Sequence, residues 1–214
     1  MRPLDRILIS SLLLFSLPSA QAAPGQKVFT QGGANPAAMA CLGCHGPDGL
    51  GMAAAGFPRL AGLPAGYLSK QLRDFRDGTR KNPIMEPLAK ALSDAEIAAV
   101  TQSLAAMPAP AAPDNRRQQM AGSPVQQLAL YGDWSRQIPG CVQCHGPGGG
   151  GVGEHFPPLA HQPATYLVAQ LNAWRDGSRH NDPNQLMVGV AKAMTDAEVK
   201  AIADYFAAGQ EVKP

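Results

Sequence analysis

The chain has 214 residues, with 18 lysines and arginines against 16 aspartates and glutamates for a formal net charge of +2. That near-balance, without a basic cluster, excludes a nucleic-acid-binding surface, and the length leaves room for two domains once a targeting segment is removed. Glycine (23) and proline (20) are plentiful while aromatics make up 6%, a composition that suits short helices joined by long loops around modest cores.

Residues 1–22 read as a signal peptide. Arg2 and Arg6 are its positive region, Ile7 to Leu17 its apolar run, and Ala20-Gln21-Ala22 its small-x-small cleavage pattern, with cleavage expected after Ala22. The run of about 11 residues is too short to span a bilayer easily. No later segment is long and apolar enough to do so. The expectation is an exported, periplasmic chain that is not an integral membrane protein after cleavage.

The first unit is expected over 23–107. It carries Cys41-Leu42-Gly43-Cys44-His45, followed by Phe57-Pro58-Arg59-Leu60. A helix is predicted from Ala65 to Arg76, with Leu68, Leu72 and Phe75 on one face and Gly78 as the stop. Ser93-x-x-Glu96 is a capping box, and Ile97, Val100 and Leu104 behind it are spaced for one helical face. A proline-rich spacer from Met107 to Pro113 then forbids continuation of the helix, and residues 108–120 are read as a linker.

The second unit, 121–214, repeats the first. A short helix is predicted from Val125 to Trp134. Cys141-Val142-Gln143-Cys144-His145 follows, then Phe156-Pro157-Pro158-Leu159, a helix carrying Leu167, Leu171 and Trp174, and the capping box Thr195-x-x-Glu198. Tyr67, Gln71 and Arg80 match Tyr166, Gln170 and Arg179. Matched chemistry at a fixed offset of about 100 residues means two homologous domains. No alternating strand is evident, so the fold class is all-α, with two tandem helical domains.

Cys-x-x-Cys-His is the signature of covalent c-type haem attachment. Each thiol adds to one haem vinyl group and the adjacent histidine reaches the iron, so Cys41, Cys44, Cys141 and Cys144 are the expected attachment points for two haems and His45 and His145 the expected iron ligands. A redox dithiol of the thioredoxin kind needs a βαβ setting that is missing. A zinc site would find only two thiolates and one crowded histidine in each unit.

For the sixth ligand, Met85 and Met187 stand at the same offset before Ala89-Lys90-Ala91 and Ala191-Lys192-Ala193. A thioether opposite histidine raises the potential of the iron. Met39, Met52, Met107, Met120 and Met194 are read as core residues. His155, His161 and His180 have no counterpart in the first unit, and His180 keeps a bis-histidine second haem open. Pro58 and Pro157 follow their histidines by 13 and 12 residues, where a carbonyl can accept a bond from the imidazole nitrogen not bound to iron. Arg76, Arg80, Arg175 and Arg179 are candidates to neutralise haem propionates.

The duplicated Cys-x-x-Cys-His, the Pro-x-Leu after each, the Phe/Trp-Arg-Asp-Gly-x-Arg stretch and the late methionine before Leu/Met-Ser/Thr-Asp resemble the dihaem cytochrome c4 family over nearly all of the mature chain. The resemblance implies two class I cytochrome c domains packed about a pseudo-twofold axis. It implies His45 with Met85 and His145 with Met187 as axial pairs. It also implies a periplasmic electron carrier, not an enzyme, with redox protein partners such as a terminal oxidase, a cytochrome bc complex or a dehydrogenase. A haem enzyme of peroxidase or thiosulfate-oxidising type, and a dedicated electron-accepting subunit of a dehydrogenase, are the rival readings. The first unit carries eight basic and six acidic residues over 23–107, the second six basic and eight acidic over 121–214, a charge imbalance expected to orient docking.

Overall fold

A computed structural model describes residues 23–113 and 122–208. The signal peptide with its expected cleavage point, the stretch 114–121 that holds Met120, and residues 209–214 lie outside the described residues.

Among the described residues each half contributes five α-helices. The first half has α1 (Pro24–Gln31), α2 (Leu42–His45), α3 (Ala65–Asp77), α4 (Met85–Ala91) and α5 (Asp94–Ala105). The second has α6 (Pro124–Leu130), α7 (Cys141–His145), α8 (Ala164–Asp176), α9 (Leu186–Ala193) and α10 (Asp196–Ala207). The boundaries follow from local chemistry. Pro64 and Pro163 precede α3 and α8, and Gly78 and Gly177 end them at φ 79° and 80°, a left-handed turn that glycine adopts without steric cost. Both capping boxes form: Ser93 and Thr195 accept from the backbone N–H of Glu96 and Glu198, whose carboxylates accept in return.

In the first core Phe29, Ile97 and Val100 are fully buried where α1 crosses α5. The crossing is close because Gly25 has no side chain; a Cβ there would lie 2.0 Å from the Ala99 carbonyl oxygen. In the second core Leu128 and Ile138 pack with Val199, Ile202 and Phe206 beneath α8 and α10. These buried faces are the ones the periodicity predicts.

Two expectations change. The helix predicted over 125–134 stops at Leu130, and a small antiparallel pair follows, β1 (Gly132–Asp133) with β2 (Ile138–Pro139). Strands of two residues are too short to show alternation in a sequence. Among the methionines, Met107 and Met194 do pack in cores, but Met39 and Met52 are exposed, at 64% and 39%. Both sit in loops flanking the first Cys-x-x-Cys-His, where no helix covers them.

The halves meet through equivalent segments. Arg80 pairs with Arg179 in an isolated antiparallel bridge. The Lys81 N–H donates to the Ser178 carbonyl at 2.8 Å, and the His180 N–H donates to the Thr79 carbonyl at 2.9 Å. Thr79 matches Ser178 and Lys81 matches His180, so each bond is the image of the other. That reciprocity is the signature of a twofold contact.

Candidate haem sites

In the first half, α2 is a single turn that, with Cys41 as its N-cap, carries the Cys-x-x-Cys-His motif. It opens into a cavity of about 250 Å³ whose walls include Cys41, Cys44, His45 and Met85. His45 is buried, and its Nδ1 lies 3.0 Å from the Pro58 carbonyl oxygen. In the second half His145 is buried likewise, with Nδ1 2.8 Å from the Pro157 carbonyl oxygen. A carbonyl can only accept, so Nδ1 carries the proton in both rings and the Nε2 lone pair is free to bind a metal. Burial also holds both imidazoles below their ordinary pKa, outweighing the carbonyl contacts. They therefore stay neutral, the form that ligates iron.

Burial pushes the Cys41 and Cys141 thiols up to about 11. A redox dithiol or a zinc thiolate needs the opposite shift. Among the described residues no three His, Cys, Asp or Glu side chains are gathered so as to hold a metal ion directly. Both facts argue against the dithiol and zinc readings.

Met85 is the first residue of α4, and its N–H donates to Asn82 Oδ1 at 2.9 Å. Met187, the second residue of α9, donates its N–H to Asp182 Oδ2 at 2.8 Å and packs against the second core, as Cys141 and Trp174 do. The extra residues of the second loop form a turn, Pro183–Gln185, in which Asn184 and Gln185 take φ of 57° and 55°. The insertion is absorbed there, and the methionine still begins its helix. His180 is exposed; its Nδ1 donates to the Gly177 carbonyl at 3.1 Å. His155 is exposed, and His161 donates from Nε2 to the Ala111 carbonyl at 3.0 Å.

The four candidate arginines separate into two classes. Arg76 and Arg175 form ion pairs with Asp94 and Asp196 at 2.9 Å and 2.6 Å. Arg80 and Arg179 are buried between the halves. Arg80 donates to Gln71, Tyr166 and Gln170 at 2.9, 2.9 and 2.7 Å, and Arg179 donates to Gln170 and Gln71 at 2.9 and 3.0 Å. Each guanidinium also stacks on an aromatic ring near the end of the preceding helix, Phe75 of α3 or Trp174 of α8. Their hydrogen-bond partners are neutral, and among the described residues neither makes an ion pair with a carboxylate. Asp74 is the carboxylate that acts on Arg80, from beyond ion-pair distance, so burial of the two cations is only partly compensated.

The first cavity reaches these cations. Tyr166, Gln170 and Arg179 of the second half line it together with Arg80. Buried Arg59 Nε and Trp174 Nε1 also lack acceptors. A haem would fit these features: an apolar disc for the cavity, and carboxylate propionates of the charge that guanidiniums and unpaired donors accept. Sequence reasoning missed Arg59 because it has no counterpart in the repeat. It noted the matched Tyr67/Tyr166 and Gln71/Gln170 without giving them a role.

Two all-α domains, each centred on a Cys-x-x-Cys-His turn and a histidine bonded to a proline carbonyl, define a duplicated c-type cytochrome. The cytochrome c family matches twice, over residues 22–107 and 130–209. The thiosulfate dehydrogenase electron acceptor of Stutzerimonas stutzeri is 63% identical over 195 residues, covering 91% of this chain and 90% of that protein. A solved cytochrome c4 from Pseudomonas stutzeri superposes with a TM-score of 0.68 at 30% identity, over 78% of this chain and 92% of that one. A solved thiosulfate dehydrogenase from Marichromatium purpuratum superposes with a TM-score of 0.77 at 45% identity, over 86% of this chain; the chain spans only 39% of that structure's length. The chain belongs to the dihaem cytochrome c family, and it carries two covalently bound haem c groups.

Proposed function

We propose that this protein accepts electrons one at a time from a thiosulfate dehydrogenase in the periplasm and passes them to a respiratory partner such as a terminal oxidase. The observation that carries this reading is the 63% identity, over nine-tenths of both chains, to a thiosulfate dehydrogenase electron acceptor. The protein is a carrier and not the enzyme. When bound, each haem iron supplies a reversible one-electron couple.

The residues divide the work of holding that couple. Cys41 and Cys44, and Cys141 and Cys144, anchor the two groups through thioether bonds. His45 and His145 offer Nε2 to the iron, and the Pro58 and Pro157 carbonyls fix the ring planes. Met85 and Met187 would offer the second protein ligand, a soft sulfur that favours the reduced state. Arg80 and Arg179, buried at the contact between the halves, would hold the propionates. The domain limits that fit this division are 23–107 and 121–214, with 108–120 between them.

The test mixes the oxidised holoprotein with a thiosulfate dehydrogenase and thiosulfate and follows the c-type absorbance. Both haems should be reduced, and neither the enzyme alone nor thiosulfate alone should do it at a comparable rate. A holoprotein that stays oxidised in the complete mixture, yet is reduced by dithionite, would refute the partner. In the oxidised protein the methionine-to-iron charge-transfer band should be present at full strength, and Met85→Ala and Met187→Ala should each remove half of it.

A further inference from the structure

The attachment turn, its histidine and the proline carbonyl occur in both halves. The stretch between the first helix of each half and its attachment turn does not repeat. In the first half residues 32–40 form bends and a turn, whereas in the second the same stretch is the hairpin of β1 and β2. Gln31, Gly33, Ala34 and Pro36 stand where the second half has Tyr131, Asp133, Trp134 and Arg136. A device that one half does without is not needed to hold a haem.

The hairpin is held firmly. Arg136 forms ion pairs with Asp133 at 2.7 Å and with Glu198 of α10 at 2.6 Å, and it donates to the Ala193 carbonyl at the end of α9 at 3.3 Å. The Ser135 N–H and hydroxyl donate to Asp133 Oδ1 at 3.1 and 2.6 Å, and Ile138 is fully buried. At the base, a Cβ on Gly132 would lie 2.6 Å from the nitrogen of Gly140, the residue before Cys141. On this fixed frame Trp134 is 67% exposed, more than any other large apolar side chain among the described residues. Tyr131, at the foot of the hairpin, is exposed as well. Tryptophan, tyrosine and arginine are the residue types that dominate binding energy at protein interfaces.

We propose that the tip of this hairpin, centred on Trp134, is the surface on which a thiosulfate dehydrogenase docks, a proposal that rests on reading the protein as that enzyme's electron acceptor. Charge selects this partner. The second half carries eight acidic against six basic residues, and one of those cations, Arg179, is buried. The hairpin frame repeats the bias, with two carboxylates on one guanidinium. Such a face complements a cationic surface. An enzyme whose substrate is a dianion needs a positive field to gather it, so thiosulfate chemistry in the partner calls for the acidic half on this side. The first half, with eight basic and six acidic residues, has the wrong sign. Placement agrees with charge. Strands of two residues put the tip about 7 Å beyond Gly140, so a partner seated on Trp134 stands beside the second attachment turn. The indole supplies buried apolar area, and the surrounding acidic charge speeds encounter.

The test is calorimetric titration of the oxidised holoprotein with a thiosulfate dehydrogenase, paired with the rate of its reduction by enzyme and thiosulfate. Trp134→Ala should raise the dissociation constant about tenfold and leave the reduction rate at saturating holoprotein unchanged. Trp134→Phe, which keeps a ring, should recover part of the affinity. Met52→Ala, which removes an exposed apolar side chain of the first half, should bind like the wild type. Added salt should weaken the wild type and Trp134→Ala by the same factor, because the charges are not on the indole. A Trp134→Ala variant that binds like the wild type overturns the proposal. So does binding that salt leaves unchanged, or a Trp134→Ala defect confined to oxidation by a terminal oxidase or to self-association of the holoprotein. A wild type that the dehydrogenase neither binds nor reduces refutes the partner and this surface with it; a wild type bound and reduced no better than Trp134→Ala refutes the surface alone.

Discussion

The two halves hold the same turn of Cys-x-x-Cys-His over cores that are filled differently. In the first, α1 supplies the large ring, Phe29, and α5 supplies Leu104. In the second, α6 places Ala129 at the position of that ring, and α10 supplies the ring, Phe206. Phe29 matches Ala129 and Leu104 matches Phe206, so the bulk has moved from one helix to its neighbour. A core tolerates such an exchange when total volume is kept. What the two halves have in common is therefore the position of the motif, not the identity of the side chains beneath it.

The largest expected effects break this exchange. Phe206→Ala and Phe29→Ala should each cost about 3–5 kcal/mol in denaturant unfolding of the holoprotein, because each leaves a cavity that the surrounding helices cannot close. Adding Leu104→Phe to Phe29→Ala rebuilds the arrangement of the second domain in the first, and should recover roughly half of the loss. No recovery would mean that the two cores are filled independently.

The contact between the halves is matched where the cores are not. Arg80 and Arg179 each reach across to the glutamine of the other half. Arg80→Gln and Arg179→Gln should therefore cost similar amounts, about 2 kcal/mol each, since each removes charge-assisted bonds to buried acceptors. Unequal losses would show that the twofold contact is asymmetric in energy though symmetric in geometry. Below these effects comes the entry to the methionine helices. Asn82 accepts from Ile84 and Met85, and Asp182 accepts from Met187 and Val188. Asn82→Ala and Asp182→Ala should each cost about 1 kcal/mol, as lost helix caps do, and should weaken the methionine band of the haem in the same half only.

How much of this was legible in the sequence follows from which features are local. The attachment motif, both capping boxes, the glycine stops after α3 and α8 and the proline carbonyls at 13 and 12 residues from their histidines are fixed by short-range spacing, and all of them form. The placement of Met85 was legible because the repeat supplied a second copy for comparison. The division of the arginines was not. Arg76 and Arg80 are four residues apart and look alike in sequence, yet one meets Asp94 at the surface and the other is buried at the contact between domains. That difference arises from how the halves pack, which no local pattern records. Arg59 was hidden for the opposite reason: comparison of the halves highlights what they share, and Arg59 is a residue they do not.

The smallest effect expected from the comparison lies at the capping boxes. Both glutamates accept from their capping residue, but among the described residues only Glu198 also meets an arginine: Arg136 donates to its two carboxylate oxygens at 2.6 and 3.0 Å. The first domain has Pro36 in place of Arg136, and Glu96 accepts the Ala34 N–H instead. The Arg136 contact brings Glu198 down from 4.5 to about 2, while Glu96 is lowered chiefly by the Ser93 hydroxyl. A carboxyl whose folded pKa lies below its unfolded value stabilises the fold above the unfolded pKa and loses that contribution as pH falls through the folded one. For Glu198 the loss runs from about pH 4.5 down to about pH 2. Acid titration of stability should thus be shallower over that window in Glu198→Gln than in the wild type, with little change above it. Glu96→Gln should flatten the same curve less. Because both groups are partly exposed to solvent, added salt should shrink the Glu198 difference more than the Glu96 difference: an ion pair is screened, whereas a hydrogen bond to a hydroxyl is not. Equal flattening by the two variants would show that Arg136 contributes nothing beyond the cap that both domains share.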